Sequence, residues 1–86
     1  MRSKQTHHFR ELLGQLPDDV RQQAHQDYRL FKHDSSSLQF KRLDRHPALY
    51  SLRIGISYRA LGILEEDDLV VWIWIGAQTD YDKLLS

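Results

Sequence analysis

The chain has 86 residues, no cysteine, and 12 basic against 12 acidic side chains. That length supports one small core, and without cysteine neither a disulfide framework nor a thiolate metal site can form. Zero net charge argues against nucleic-acid binding driven by bulk charge, while leaving room for a local basic patch. The first residues, MRSKQTHH, lack the apolar core of a signal peptide. The apolar run 69–75 is too short to span a bilayer. The expectation is a soluble, cytoplasmic, single domain over residues 1–86, with no membrane partner.

Residues 1–5 are polar and read as extended or frayed. Thr6 is a candidate helix N-cap, and Phe9, Leu12, Leu13 and Leu16 recur at the spacing of one helix face. Gly14 weakens the end of that helix and Pro17 cannot continue it, but Pro17 suits the first turn of the next. Asp18 and Asp19 then sit favourably at the positive end of a helix dipole, and Val20, Ala24, Tyr28 and Phe31 form its apolar stripe. Helices over about 6–15 and 17–33 make an αα-hairpin. Asp34–Ser37 reads as a loop and Leu38–Leu43 as a strand, with Leu38 and Phe40 facing the core and Gln39 and Lys41 on the open face. Asp44–Pro47 is a second loop.

The stretch 49–76 holds most of the β-branched and aromatic residues and is cut at Gly55–Ser57 and Glu65–Asp68. It reads as three antiparallel strands at about 49–54, 58–64 and 69–76. Side chains alternate faces along a strand. Tyr50, Leu52, Ile54, Tyr58, Ala60, Gly62 and Leu64 therefore fall on one face. A four-residue turn pairing Leu64 with Leu69 adds Leu69, Val71, Ile73 and Ile75 to it. This aliphatic face is the expected seat of the helices, and Ala60 and Gly62 leave room on it. Arg59, Leu61, Ile63, Val70, Trp72 and Trp74 then face the other way. The tail 77–86 places Tyr81, Leu84 and Leu85 at helical spacing. The fold class expected is α+β: an N-terminal αα-hairpin on a four-stranded antiparallel sheet, with a short C-terminal helix or tail.

The open face then gathers Lys41, Ser51, Arg53, Arg59, Trp72 and Trp74. Arg53 stands opposite Arg59, and like charges across a ladder repel unless solvent, a carboxylate or a bound anion relieves them. Cations with aromatic neighbours suit a phosphodiester backbone, with tryptophan available for stacking. The tryptophans have an alternative role in core packing under the C-terminal tail. His7, His8, His25, His33 and His46 share no face, so neither a metal site nor a cofactor is expected.

The segments FRELLGQLPDDV and A-x-x-x-Y-x-x-F, then FKRL, YSLRIGISYRALG, VVWIWIG and the closing DYDKLL, together resemble the RelE/ParE superfamily of bacterial type II toxin–antitoxin toxins. The resemblance spans nearly the whole chain. Its most specific parts are YSLRIG…YRALG and the final Gly-x-x-x-x-Tyr-Asp. It implies a toxin neutralised by a co-encoded antitoxin that wraps it. RelE-like members cut mRNA, commonly on the ribosome, without a metal. ParE-like members share the fold but poison DNA gyrase by binding. On the RelE pattern, Lys41 with Arg42 beside it, Arg53, Arg59 and Tyr81 occupy the working positions, with Lys41, Arg53, Arg59 and Tyr81 expected to carry catalysis; Arg42 and Gln78, and from the open-face reading Trp72 and Trp74, are the expected RNA contacts. This chain departs from that pattern at Gln78, where the resemblance implies His or Arg, and in its neutral charge. A decayed member that only binds its antitoxin is the third reading.

Overall fold

The computed structural model describes residues 2–33, 40–43, 46, 48–66 and 68–86. Eight elements follow in order: β1 (Arg2–Gln5), α1 (His7–Gly14), α2 (Asp18–His33), β2 (Phe40–Arg42), β3 (Leu49–Ile54), β4 (Tyr58–Glu65), β5 (Leu69–Ala77) and α3 (Gln78–Leu85). The strands form one sheet in the order β1-β5-β4-β3-β2. The four-stranded antiparallel expectation is corrected here. The first residues are not frayed but form a fifth strand, parallel to β5 from Arg2↔Leu69 to Gln5↔Trp72. Four polar residues carry no hydrophobic period, so this strand has no signature of its own. It docks through backbone hydrogen bonds and Ser3.

Both helices begin where the local chemistry places them. The Thr6 hydroxyl accepts from the Phe9 amide at 3.1 Å, the N-cap geometry expected. Asp18 and Asp19 occupy the first turn of α2, and Pro17 contributes its carbonyl to the Arg21 amide at 2.9 Å. Phe9 and Leu13 of α1, and Ala24 and Phe31 of α2, are buried against the sheet, with Leu12, Leu16 and Tyr28 packed at the margin. Asp27, also on the inward side of α2, is buried and takes a hydrogen bond from Gln23 at 3.0 Å.

The pairing of β3 with β4 matches the sequence reading: Tyr50↔Gly62, Leu52↔Ala60, Arg53↔Arg59 and Ile54↔Tyr58. Phe40↔Leu52 and Lys41↔Ser51 place Phe40 toward the core and Lys41 on the open face. Leu38 and Gln39 lie outside the described residues, as does the loop Asp34–Ser37.

The β4–β5 register differs from expectation. Glu65, not Leu64, pairs with Leu69, so Leu64 faces Val70 and Gly62 faces Trp72. Asp68 adopts φ 58° at the end of the turn, a left-handed conformation that Asp tolerates. Leu61 then pairs with Trp74, which leaves Ile73 as the extra residue of a β-bulge. The bulge changes the phase of β5. Before it the even-numbered residues face the core, and after it Ile75 does. Val70 and Trp72 are therefore in the core, 0% and 1% exposed, while Leu69 and Val71 lie on the Ile63 side. The assignments of Leu69, Val70, Val71, Trp72 and Ile73 are corrected accordingly; those of Trp74 and Ile75 stand.

Gly62 is buried as expected, but side chains of the neighbouring strand occupy the space above it. A Cβ there would lie 2.6 Å from Val70 Cγ1 and 2.9 Å from Trp72 Cε3. Gly62→Ala should lower stability by about 1–3 kcal/mol through overpacking, read as a shifted urea midpoint with an unchanged slope. A midpoint equal to that of the wild type would show that the Trp72 ring can move aside freely.

Candidate functional site

The paired positions Lys41↔Ser51 and Arg53↔Arg59 bring the edge strand β2 and the interior strands β3 and β4 to one spot on the open face. Helix α3 starts directly after β5 and turns across this face, held by a hydrogen bond from the Gln78 amide to the Ser57 carbonyl at 2.7 Å. It adds Gln78 and Tyr81. The result is a cleft of about 220 Å³ lined by Lys41, Leu43, Ser51, Arg53, Arg59, Gln78 and Tyr81. Of these described lining residues, three are cations and none is acidic, so the cleft suits an anion.

The arginines are held at their bases. Arg53 Nε donates to the Gly55 carbonyl and Arg59 Nη1 to the Tyr58 carbonyl, each at 3.1 Å. The Arg59 guanidinium also lies over the Tyr81 ring, 5.9 Å from its centroid, within the range of a cation–π contact. On its other flank Tyr81 leans on Trp74, with ring centroids 6.4 Å apart and planes at 40°. The Trp74 indole lies across Gly76, where a Cβ would come within 2.6 Å of Cζ2 and 2.8 Å of Cη2. Gly76 thus gives Trp74 its seat, and Trp74 supports Tyr81.

Lys41, Arg53, Arg59, Tyr81 and Gln78, singled out from the sequence, all line the cleft. The Gln78 side-chain amide is turned along its own helix, donating to Asp82 at 2.8 Å. Arg42 is exposed on the opposite face of β2, beside Tyr50 in register, and is not part of the cleft. Trp72 is corrected from an RNA-stacking residue to a core residue: the β4–β5 register sets it opposite Gly62 on the core face, 1% exposed, and no base can reach it. Trp74 is on the open face but half-buried against Tyr81. Ser51, placed on the open face by alternation but given no role, and Leu43, which the sequence reading did not place there, also line the cleft. Among the described residues, no group of three or more His, Asp or Glu side chains is placed to hold a metal, and no helix is long and apolar enough to cross a membrane.

Solved structures share this architecture. The RelB–RelE antitoxin–toxin complex from Methanococcus jannaschii matches with a TM-score of 0.78 at 14% identity, over 96% of this chain and 99% of that one. The archaeal RelE–RelB complex from Pyrococcus horikoshii matches with a TM-score of 0.71 at 16% identity, over 90% and 93%. The toxin–antitoxin complex RelBE2 from Mycobacterium tuberculosis gives 0.63 at 20% identity, over 90% and 96%. No curated protein is significantly similar in sequence. The fold is thus that of the RelE toxins: a hairpin of helices on one face of the sheet and a C-terminal element on the other. The family model of the ParE-like toxin domain matches residues 18–83, and the chain belongs to that family, within the RelE/ParE superfamily of toxin–antitoxin toxins.

Gly76→Ala should push the Trp74 indole from its seat and release Tyr81. The expected outcome is a loss of about 1–3 kcal/mol in a thermal melt together with a downfield shift of the Tyr81 ring protons as they leave the face of Trp74. Trp74→Leu should reproduce the shift. Tyr81 resonances that stay in place in both variants would mean that α3 holds Tyr81 without help from the sheet.

Proposed function

We propose that this toxin is a metal-independent endoribonuclease of the RelE kind, acting on mRNA, with the ribosome as its place of action, and so inhibiting translation. The observation that supports the reading most is the convergence of Lys41, Arg53, Arg59 and Tyr81 on one cleft. Cleavage by the ribose 2′-hydroxyl needs its proton removed, the charge on phosphorus stabilised and a proton supplied to the departing 5′-oxygen. The arginines and Lys41 provide fixed positive charge for the pentavalent phosphate. Tyr81 is the cleft side chain suited to exchange the proton of the 2′-hydroxyl. Gln78 cannot act as a general acid at neutral pH, so the proton for the leaving oxygen falls to Lys41 or to solvent. The bond formed is 2′-oxygen to phosphorus and the bond broken is phosphorus to 5′-oxygen.

A second reading is the ParE-like one, a non-enzymatic inhibitor of DNA gyrase. The match of the ParE-like family model and the engagement of Gln78 with Asp82 favour it. The two separate by experiment. Primer extension on total RNA after induction should show new 5′ ends with the wild type. Arg53→Ala and Tyr81→Phe should each abolish them and the growth arrest, by about a hundred- to a thousandfold in rate if each removes one transition-state contact, with circular dichroism unchanged. Toxicity without new RNA ends, indifferent to Tyr81→Phe, would assign the gyrase-binding branch. An inert wild type would point to a decayed toxin that only binds its antitoxin, with Gln78→His as the substitution to restore activity.

The related structures contain RelB antitoxins, and a cognate antitoxin is proposed here too. Apolar surface for it exists: Ile56, Leu84 and Leu30 are 82%, 55% and 49% exposed, and Leu84 borders a groove of about 600 Å³ between α1 and α3. A stable complex would bury about 1,200–2,000 Å². Co-expression with the product of the adjacent reading frame should yield one co-purifying complex and relieve growth arrest; a chain that stays monomeric beside that product would count against the pairing.

A further inference from the structure

Ser51 is the one polar residue of the cleft floor that neither charge nor resemblance brings to notice. It sits in the middle of β3, 8% exposed, with Lys41 across the ladder on one side and Leu61 on the other. Arg53 follows two residues on, on the same face. Burying a hydroxyl without a hydrogen bond is unfavourable, and among the described residues the Ser51 side chain has no protein partner. Yet no fully buried side-chain oxygen among them lacks a partner. Both statements hold only if the Ser51 oxygen opens onto the cleft, whose lining includes it. The hydroxyl is thus available to whatever enters the cleft.

We propose that Ser51 is a phosphodiester-binding residue, its hydroxyl donating a hydrogen bond to a non-bridging phosphate oxygen held between Lys41 and Arg53. The proposal rests on reading the cleft as an RNA site. Lysine and arginine supply charge there, from long stems. Serine supplies a short, directional donor fixed by the strand backbone, which sets the depth at which the phosphate stops. Because a hydroxyl is neutral, its loss should weaken binding without changing the number of ions released.

The test is equilibrium binding of a fluorescein-labelled RNA hexanucleotide of mixed sequence with 2′-fluoro riboses, which cannot be cleaved, followed by anisotropy over a salt series. Ser51→Ala should bind about tenfold more weakly with the same slope of log affinity against log salt. Lys41→Ala should reduce that slope by about 0.7. The melting temperature of Ser51→Ala should equal or exceed that of the wild type. Affinity equal to the wild type would overturn the proposal, as would a lowered melting temperature with unchanged binding. If the wild type binds this probe through Ser51 but induction in cells produces no new RNA ends, the ribonuclease reading fails and the Ser51 site stands. If the wild type does not bind the probe at all, the Ser51 proposal falls, while new RNA ends after induction would still support the ribonuclease reading.

Discussion

The burial of Trp72 is the constraint on which the rest of this structure depends. Its ring meets Phe31 edge-on at 5.2 Å, Phe40 at 6.1 Å and Phe9 at 6.4 Å, so one side chain joins α1, α2 and β2 to the sheet. Such contacts add to the area that the aromatic rings already bury. A buried indole also needs an acceptor for its N–H, and Ser3 of β1 supplies it at 2.7 Å. The Trp72 carbonyl in turn receives both the amide and the hydroxyl of Thr6, each at 3.0 Å. The residue that caps α1 is thus tied to the strand on which α1 packs. Fitting this ring requires a neighbour without a side chain, which is why Gly62 lies directly across from it.

The same strand serves the other face. Without the extra residue at Ile73, alternation would put Trp72 and Trp74 on one side of the sheet, and either the core or the cleft would lose its aromatic. The bulge separates them: Trp72 goes to the helices and Trp74 to Tyr81. Bulges commonly re-aim a side chain beside a functional site. Here the consequence is mechanical, since Tyr81 rests on a strand whose other face is anchored in the core, and a helix with no fully buried residue of its own is positioned by the sheet beneath it.

Much of this was legible in the residues, for definable reasons. The amphipathic stripes of α1 and α2, the Thr6 cap, the three-residue turn after Ile54 and the Arg53–Arg59 pair all follow from local periodicity and turn chemistry. The convergence of Lys41, Arg53, Arg59 and Tyr81 was legible only because a family resemblance supplied Tyr81; alternation alone gives the three cations. What failed was non-local. Strand β1 is polar, and its place is set by an indole 69 residues away. The register of β5 depended on whether Glu65 belongs to the turn or the strand, and one residue of slip exchanges the faces. The bulge then restored the reading for Trp74 and Ile75, so the error was confined to residues 69–73. Arg42 was placed with Lys41 by adjacency in sequence, whereas adjacent strand residues point to opposite faces.

The strand order carries a consequence for how the protein comes into being. Strand β5 lies inside the sheet, between β4 and the N-terminal β1, and the aromatic cluster closes on Trp72. Contacts so distant in sequence form late, because the loop must close before they can stabilise anything. Strand β1 and helix α1 are made well before β5, and β1 has no partner in the sheet until Leu69–Ala77 has followed. The cleft, which needs residues 41 to 81 in place, cannot exist on a partial chain. The cleft is therefore a property of the assembled sheet, and no stretch of the chain that stops short of α3 can hold one.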